Sequence, residues 1–483
     1  MAHHPTALIK TSGIPRCPIS HERLHDPVIL DCVCKGTLSR RSFLTWYQHQ
    51  DVASTETNGR VLPNCPICGS GLRSVHVVPN VPLREMLEAI VSPVVVEEPT
   101  SPIITTAVRA RTRKQVGQDL VGDVMSISLS SHGNRVAIGR KLPGTLTVHV
   151  RIYDWTESQW VQLGPDFVVS RYSCDQGVVL SSDGNRVAFG TPSPEINDCV
   201  HVRIYDWAGG HWTQVGSDLV GEIAEDSVSD IAMSSDGNRV AFGASAPNKR
   251  GGASRVQVFD WVCRQWTQVG SNLYVERQAT CLTLSSDGNR VALGCPFSTK
   301  TSSTPSAGFV RIYELTDEQW TQVGANLVGE TVGDWFGARV ALSSDGNRVA
   351  IGAPRNNGRR AGNVRIFDWT GNQWTKVGPD LVGMTTHRCF GWSVTLSSDG
   401  SRVAIGTPNF DELSQQAGHV GIYDWTGSQW RKTGSELVGQ AGNLFGEYIA
   451  MSSCGNRLAI YEEVLSGHAT SYVRLYDLEE SCL

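Results

Sequence analysis

From residue 115 to the end of the chain, short apolar runs recur with polar residues between them. Residues 338–343, 348–352, 364–368 and 373–377 show the pattern best (Ala-Arg-Val-Ala-Leu-Ser, Arg-Val-Ala-Ile-Gly, Val-Arg-Ile-Phe-Asp, Gln-Trp-Thr-Lys-Val). Short β-rich runs bounded by turn residues predict strands. Asp345-Gly346 separates the first two runs and predicts a hairpin, because glycine takes the positive φ such turns require. Trp369-Thr370-Gly371-Asn372 predicts a second hairpin, between the third and fourth runs. Four strands per unit are therefore expected. The unit repeats. Ser-Ser-Asp-Gly-Asn-Arg-Val-Ala stands at 181–188, 234–241, 285–292 and 343–350, with imperfect copies at 130–137, 397–404 and 452–459. The glycines of these copies lie 51, 53, 51, 58, 54 and 55 residues apart. A period of that size marks a propeller or a solenoid.

Counting the fourth runs decides how the array ends. Trp160, Trp212, Trp266, Trp320, Trp374 and Trp430 each begin one, but the last unit stops at Tyr476-Asp477-Leu478. The missing piece matches Gln115-Val116-Gly117-Gln118-Asp119-Leu120. A strand from the start of the repeat region thus completes the last blade and hides the edges of an open array. The prediction is an all-β seven-bladed propeller over 115–483, closed by its N-terminal strand. The constant register of the tryptophan pairs (Trp207 with Trp212, Trp369 with Trp374) predicts packing between blades rather than a carbohydrate-binding surface. Trp335-Phe336-Gly337, then Ile351-Gly352-Ala353-Pro354 and Gly362-Asn363-Val364, with Phe390-Gly391 and Phe445-Gly446, resemble the FG-GAP repeats of integrin-like propellers. Some such turns bind calcium. Here Asp183, Asp236, Asp287, Asp345 and Asp399 each stand alone after two serines, too few carboxylates for a hard cation, so no metal is expected. The turns between first and second strands are uniform, whereas the segments between second and third vary: 15 residues separate Gly294 from Val310, against 10 between Gly139 and Val150. Variation over a uniform scaffold places recognition on that face. Its candidate residues are Lys249, Arg250, Arg355, Arg359, Arg360, Asp411 and Glu412.

Residues 14–91 have a different texture. Cys17-Pro18-Ile19, Asp26-Pro27-Val28-Ile29 and Gly36-Thr37-Leu38 open the segment, and Ser39 caps a short helix over 40–47 that carries Phe43 and Trp46. Cys65-Pro66-Ile67-Cys68 and Val78-Pro79-Asn80 follow. Asn80 and Pro82 then begin a second helix, with Leu83, Leu87 and Ile90 on one side. A small α+β module of loops, a hairpin and two helices is expected. In order and content these motifs resemble the U-box, the RING-related domain of ubiquitin ligases. The resemblance implies a domain with no nucleophile of its own. It would bind an E2 conjugating enzyme that carries ubiquitin as a thioester and accelerate transfer by proximity and ordering. By matching position, the E2 contacts are Ile19, Trp46 and Pro66. After the second Cys-Pro the family places a basic residue; here Gly69, Ser70 and Gly71 occupy that ground and Arg73 is the nearest base. A two-zinc RING needs spaced Cys/His pairs, and only Cys65 and Cys68 have that spacing, which leaves a partial zinc site as the alternative.

Residues 92–114 read as a linker rich in Pro, Val, Thr and Glu that ends in basic residues. The net charge of −5 argues against a general nucleic-acid binder. No apolar run reaches the roughly 20 residues that span a bilayer. Thirteen cysteines, odd in number and scattered, suggest free thiols and hence the cytoplasm or nucleus. The sequence reading is an E3 ubiquitin ligase without cofactor, whose partners are a ubiquitin-charged E2 and a protein substrate held by the propeller. Its alternatives are a non-catalytic scaffold and a carbohydrate-binding propeller.

Overall fold

The structure, a computed structural model, divides into two compact units, Met1–Ala107 and Val108–Leu483. It describes residues 113–478 apart from 142–144, 146, 171–176, 193–199, 222–226, 246–253, 276–280, 297–306, 356–361, 384–388, 409–416 and 466–469, and describes five short strands in the first unit. In that unit Pro27–Asp31 pairs antiparallel with Thr37–Ser39 on one side and Ser74–Val77 on the other. Thr55–Thr57 pairs with Arg60–Leu62. The two helices expected over 40–47 and from Asn80 lie outside the described residues.

The second unit is seven antiparallel sheets, each of five strands. The third blade is representative: Ser227–Met233, Arg239–Ser245, Ser254–Val262 and Gln265–Gln268 lie side by side in chain order, and Leu273–Val275 also pairs with the long third strand. This corrects the expectation of four strands. The outer run is broken in two because Gly270 adopts φ 67°, which turns the chain before it rejoins the sheet. Gln268 spans the break by donating to Asn272 Oδ1 at 2.7 Å. The last blade closes as predicted. Lys114–Gln115 pairs with Tyr476 and Asp477, and Leu120–Val121 pairs with Tyr472 and Val473. The apolar core lies between neighbouring sheets. Val256 and Val258 of the third blade, for example, pack with Leu282, Leu284 and Leu293 of the fourth.

Three concentric sets of hydrogen bonds tie the blades together, and the repeated octet supplies two of them. Innermost, the second serine of each copy donates its backbone N–H to the carbonyl of its counterpart in the next blade. The series runs Ser131, Ser182, Ser235, Ser286, Ser344, Ser398, Ser453 and back to Ser131, every bond 2.8–2.9 Å. Further out, the arginine of each copy pairs with an acidic residue on its own third strand and reaches the turn of the next blade. Arg239 binds Asp260 and donates to Gly288 O at 3.1 Å and Asn289 Oδ1 at 2.7 Å. Arg457 closes the circle on Gly133 O at 3.0 Å. The turn glycine is needed twice over: Gly288 has φ 70°, and a Cβ there would meet Arg239 Cδ at 2.7 Å. The octet's aspartate stays inside its own turn, where Asp236 accepts from Ser234 Oγ, Asn238 N and Asn238 Nδ2.

The outer set belongs to the tryptophans. Trp160, Trp212, Trp266, Trp320, Trp374 and Trp430 donate their indole N–H groups to Val116, Leu163, Val215, Val269, Val323 and Val377 of the preceding blade, at 2.9–3.2 Å. The seventh seam differs. Arg113 stands where the tryptophan would be, donating to Thr433 O, and Leu478 replaces the partner aromatic. Burial, and after it the charge of Arg402, hold the Arg113 pKa below its usual value. Replacing this half-buried cation with the residue used at the other six seams removes a desolvation cost and restores apolar contact. Arg113→Trp is expected to raise stability by about 1 kcal/mol, read as a higher urea midpoint at unchanged slope.

The Phe-Gly segments entering the last three blades add a further lock. Phe336, Phe390 and Phe445 are fully buried. Gly337 N donates to Gly352 O of its own blade at 3.0 Å, while its carbonyl would lie 2.1 Å from a Cβ on Gly294 of the preceding blade. The same close approach joins Gly352 to Gly391 and Gly406 to Gly446. Backbone meets backbone at these positions, and only glycine leaves room.

Candidate functional site

The first strands of all seven blades line an axial channel with two compartments. At the octet face is a small polar bowl of about 140 Å³, lined by Ser235, Ser286, Ser344, Ser398 and Ser453 among others. Leu342, Leu396 and Met451, each just before its octet, line both compartments and mark the boundary between them. Beyond it is a larger compartment of about 360 Å³ on the side of the variable segments, because each first strand begins at that face.

The larger compartment carries the charge. Position by position the first strands contribute Ser126, Gly177, Asp230, Cys281, Arg339, Ser393 and Tyr448, with Glu447 one residue earlier. Asp230 is held rigidly: its carboxylate accepts Ile231 N and Leu282 N, both at 2.9 Å. Burial pushes its pKa up to about 6, against the pull of those amides and of Arg339. Burial, and then the charge of Glu463, push Glu447 up to about 7, again against Arg339. Arg339 donates to Ala338 O at 3.1 Å but makes no ion pair among the described residues, and Glu447 has neither hydrogen bond nor ion pair among them. Cys281 is not a nucleophile candidate. Burial, followed by Asp230, pushes its thiol up to about 12, and its sulfur accepts Val340 N at 3.3 Å.

Of the residues expected on the variable face, the structure describes one. Arg355 is exposed and stacks over Trp335, 3.8 Å from the ring centroid, while its backbone N–H binds Asp334 O. Lys249, Arg250, Arg359, Arg360, Asp411 and Glu412 lie outside the described residues, as do Ile19, Trp46, Pro66, Cys65 and Cys68. The channel charges were missed in the sequence because the repeat draws attention to what its copies share. The available signal was the opposite one: a charged residue breaking an apolar first strand, as in Val-Ser-Asp230-Ile and Gly-Ala-Arg339-Val.

No helix among the described residues is long and apolar enough to cross a membrane. No protein-family model matches the chain, and no curated protein matches it. Among solved structures it is similar to the hydrazine synthase of Kuenenia stuttgartiensis, at 14% identity and a TM-score of 0.47, over 72% of this chain and 94% of that one.

Proposed function

We propose that this protein is an E3 ubiquitin ligase whose N-terminal module recruits a ubiquitin-charged E2 and whose propeller, built of FG-GAP-like repeats, selects the substrate. The observation that carries this reading is the ordered motif set over residues 14–91, in which Pro27-Val28-Ile29 pairs with Thr37-Leu38-Ser39. The propeller suits a receptor. Its blades are locked by three rings of bonds on a uniform scaffold, leaving the variable segments to carry specificity. The absence of a base directly after the second Cys-Pro favours a second reading, a scaffold that binds partners without ligase activity.

Autoubiquitination over a panel of E2 enzymes separates the two. Chain formation is expected with at least one E2, reduced at least tenfold by Ile19→Ala or Trp46→Ala, since truncating an interface anchor costs roughly 2 kcal/mol or more. Propeller unfolding should be unchanged in both variants. No chains with any E2 would leave the scaffold.

A further inference from the structure

We propose that the larger compartment of the axial channel binds a small amphoteric ligand of the amino-acid class, with its carboxylate on Arg339 and its ammonium group between Asp230 and Glu447. This inference is independent of the ligase reading. The compartment, at about 360 Å³, is in the range of small-ligand sites and is walled by rigid strands of every blade. Its three charges come from three different blades: Asp230 from Ser227–Met233, Arg339 from Arg339–Leu342 and Glu447 from Leu444–Met451. Arg339 is close enough to lower the pKa of both carboxyls, yet no described carboxylate lies within ion-pair distance of it.

The seven arginines of the repeated octet, by contrast, are all paired. Arg135, Arg186, Arg239, Arg290, Arg348, Arg402 and Arg457 all hold a carboxylate. A guanidinium presents a planar fork of donors that matches a carboxylate, and in the channel one arm of that fork donates to Ala338 O while no described carboxylate meets the rest. A simple carboxylate entering to meet it would face Asp230 and Glu447. A simple amine binding those two would face Arg339. A ligand with both groups answers all three charges at once. Ser126 Oγ and Ser393 Oγ, already bonded to Val178 N and Gly446 O, leave the charged groups as the principal recognition elements.

Titration calorimetry on the full chain tests this, with the twenty α-amino acids as probes and acetate and propylamine as single-charge controls. At least one amino acid is expected to bind with Kd about 1 mM or tighter, and both controls at least tenfold more weakly. Arg339→Gln and Glu447→Gln should each weaken binding tenfold or more while keeping a cooperative thermal transition. Should Arg339→Gln fail to fold, Arg339→Lys keeps the charge without the fork and is expected to weaken binding in the same direction. The proposal is overturned if no amino acid binds in the millimolar range, or if binding survives in both channel variants. It is equally overturned if propylamine binds as tightly as any amino acid and is indifferent to Arg339, which would make the channel a receptor for basic side chains.

Discussion

Deleting residues 114–121 from the full chain is expected to abolish its cooperative unfolding transition and to cause aggregation. These residues are few but close the ring. Val116 and Leu120 are buried, and each contributes about 1.5–3 kcal/mol through apolar burial. Val116 O accepts the Trp160 indole, and Asp119 pairs with Arg474 at 3.0 Å. Leaving the indole donor unpaired costs about 1–3 kcal/mol, while Arg474 keeps only its longer contact with Glu462 at 3.5 Å. The sum is comparable to the roughly 5–15 kcal/mol that holds a folded protein together. The deletion also turns Tyr472–Asp477 into an open edge that can pair with another chain. Calorimetry and light scattering read the result. A single sharp transition at the parent temperature, without scattering, would show that the ring closes without this strand.

Gly352→Ala is expected to cost about 3 kcal/mol or more, well above Gly371→Ala. The comparison separates two reasons for glycine. Gly371 has φ 96° and open space around its Cα, so an added methyl group meets only backbone strain of about 1–2 kcal/mol. Gly352 has no positive φ, but a Cβ there would lie 2.2 Å from Gly391 O, a backbone atom fixed by its own blade. Relief requires moving the Phe390-Gly391 segment and with it the buried Phe390 ring. Urea denaturation of the two variants decides the matter. Equal costs would mean that the Phe-Gly segments yield and do not lock adjacent blades.

Much of the propeller was legible because its cues are local. Asp-Gly turns, apolar alternation and the period of 51–58 residues depend on near neighbours in the chain, and the orphaned strand at 115–120 could be found by matching text. The fifth strand is hidden in the sequence because Gly-x-Asp-Leu-Val reads as a continuation of the fourth, until the positive φ of the glycine separates them. The octet reads as a turn, and Asp236 and Gly237 form one. Its second serine and its arginine act across blades, on partners about fifty residues away in sequence, as with Ser235 on Ser286 and Arg239 on Gly288.

Blade number, ring closure and the residues that turn each hairpin are written locally along the chain, since each follows from propensity and period. Which copies of a residue share work depends on the folded ring. Folding joined seven serines into one ring, placed Arg113 in a tryptophan's position, and brought Asp230, Arg339 and Glu447 to one cavity from strands more than a hundred residues apart. Closure into a ring makes every blade a neighbour of the axis. That proximity leaves no trace in any single repeat.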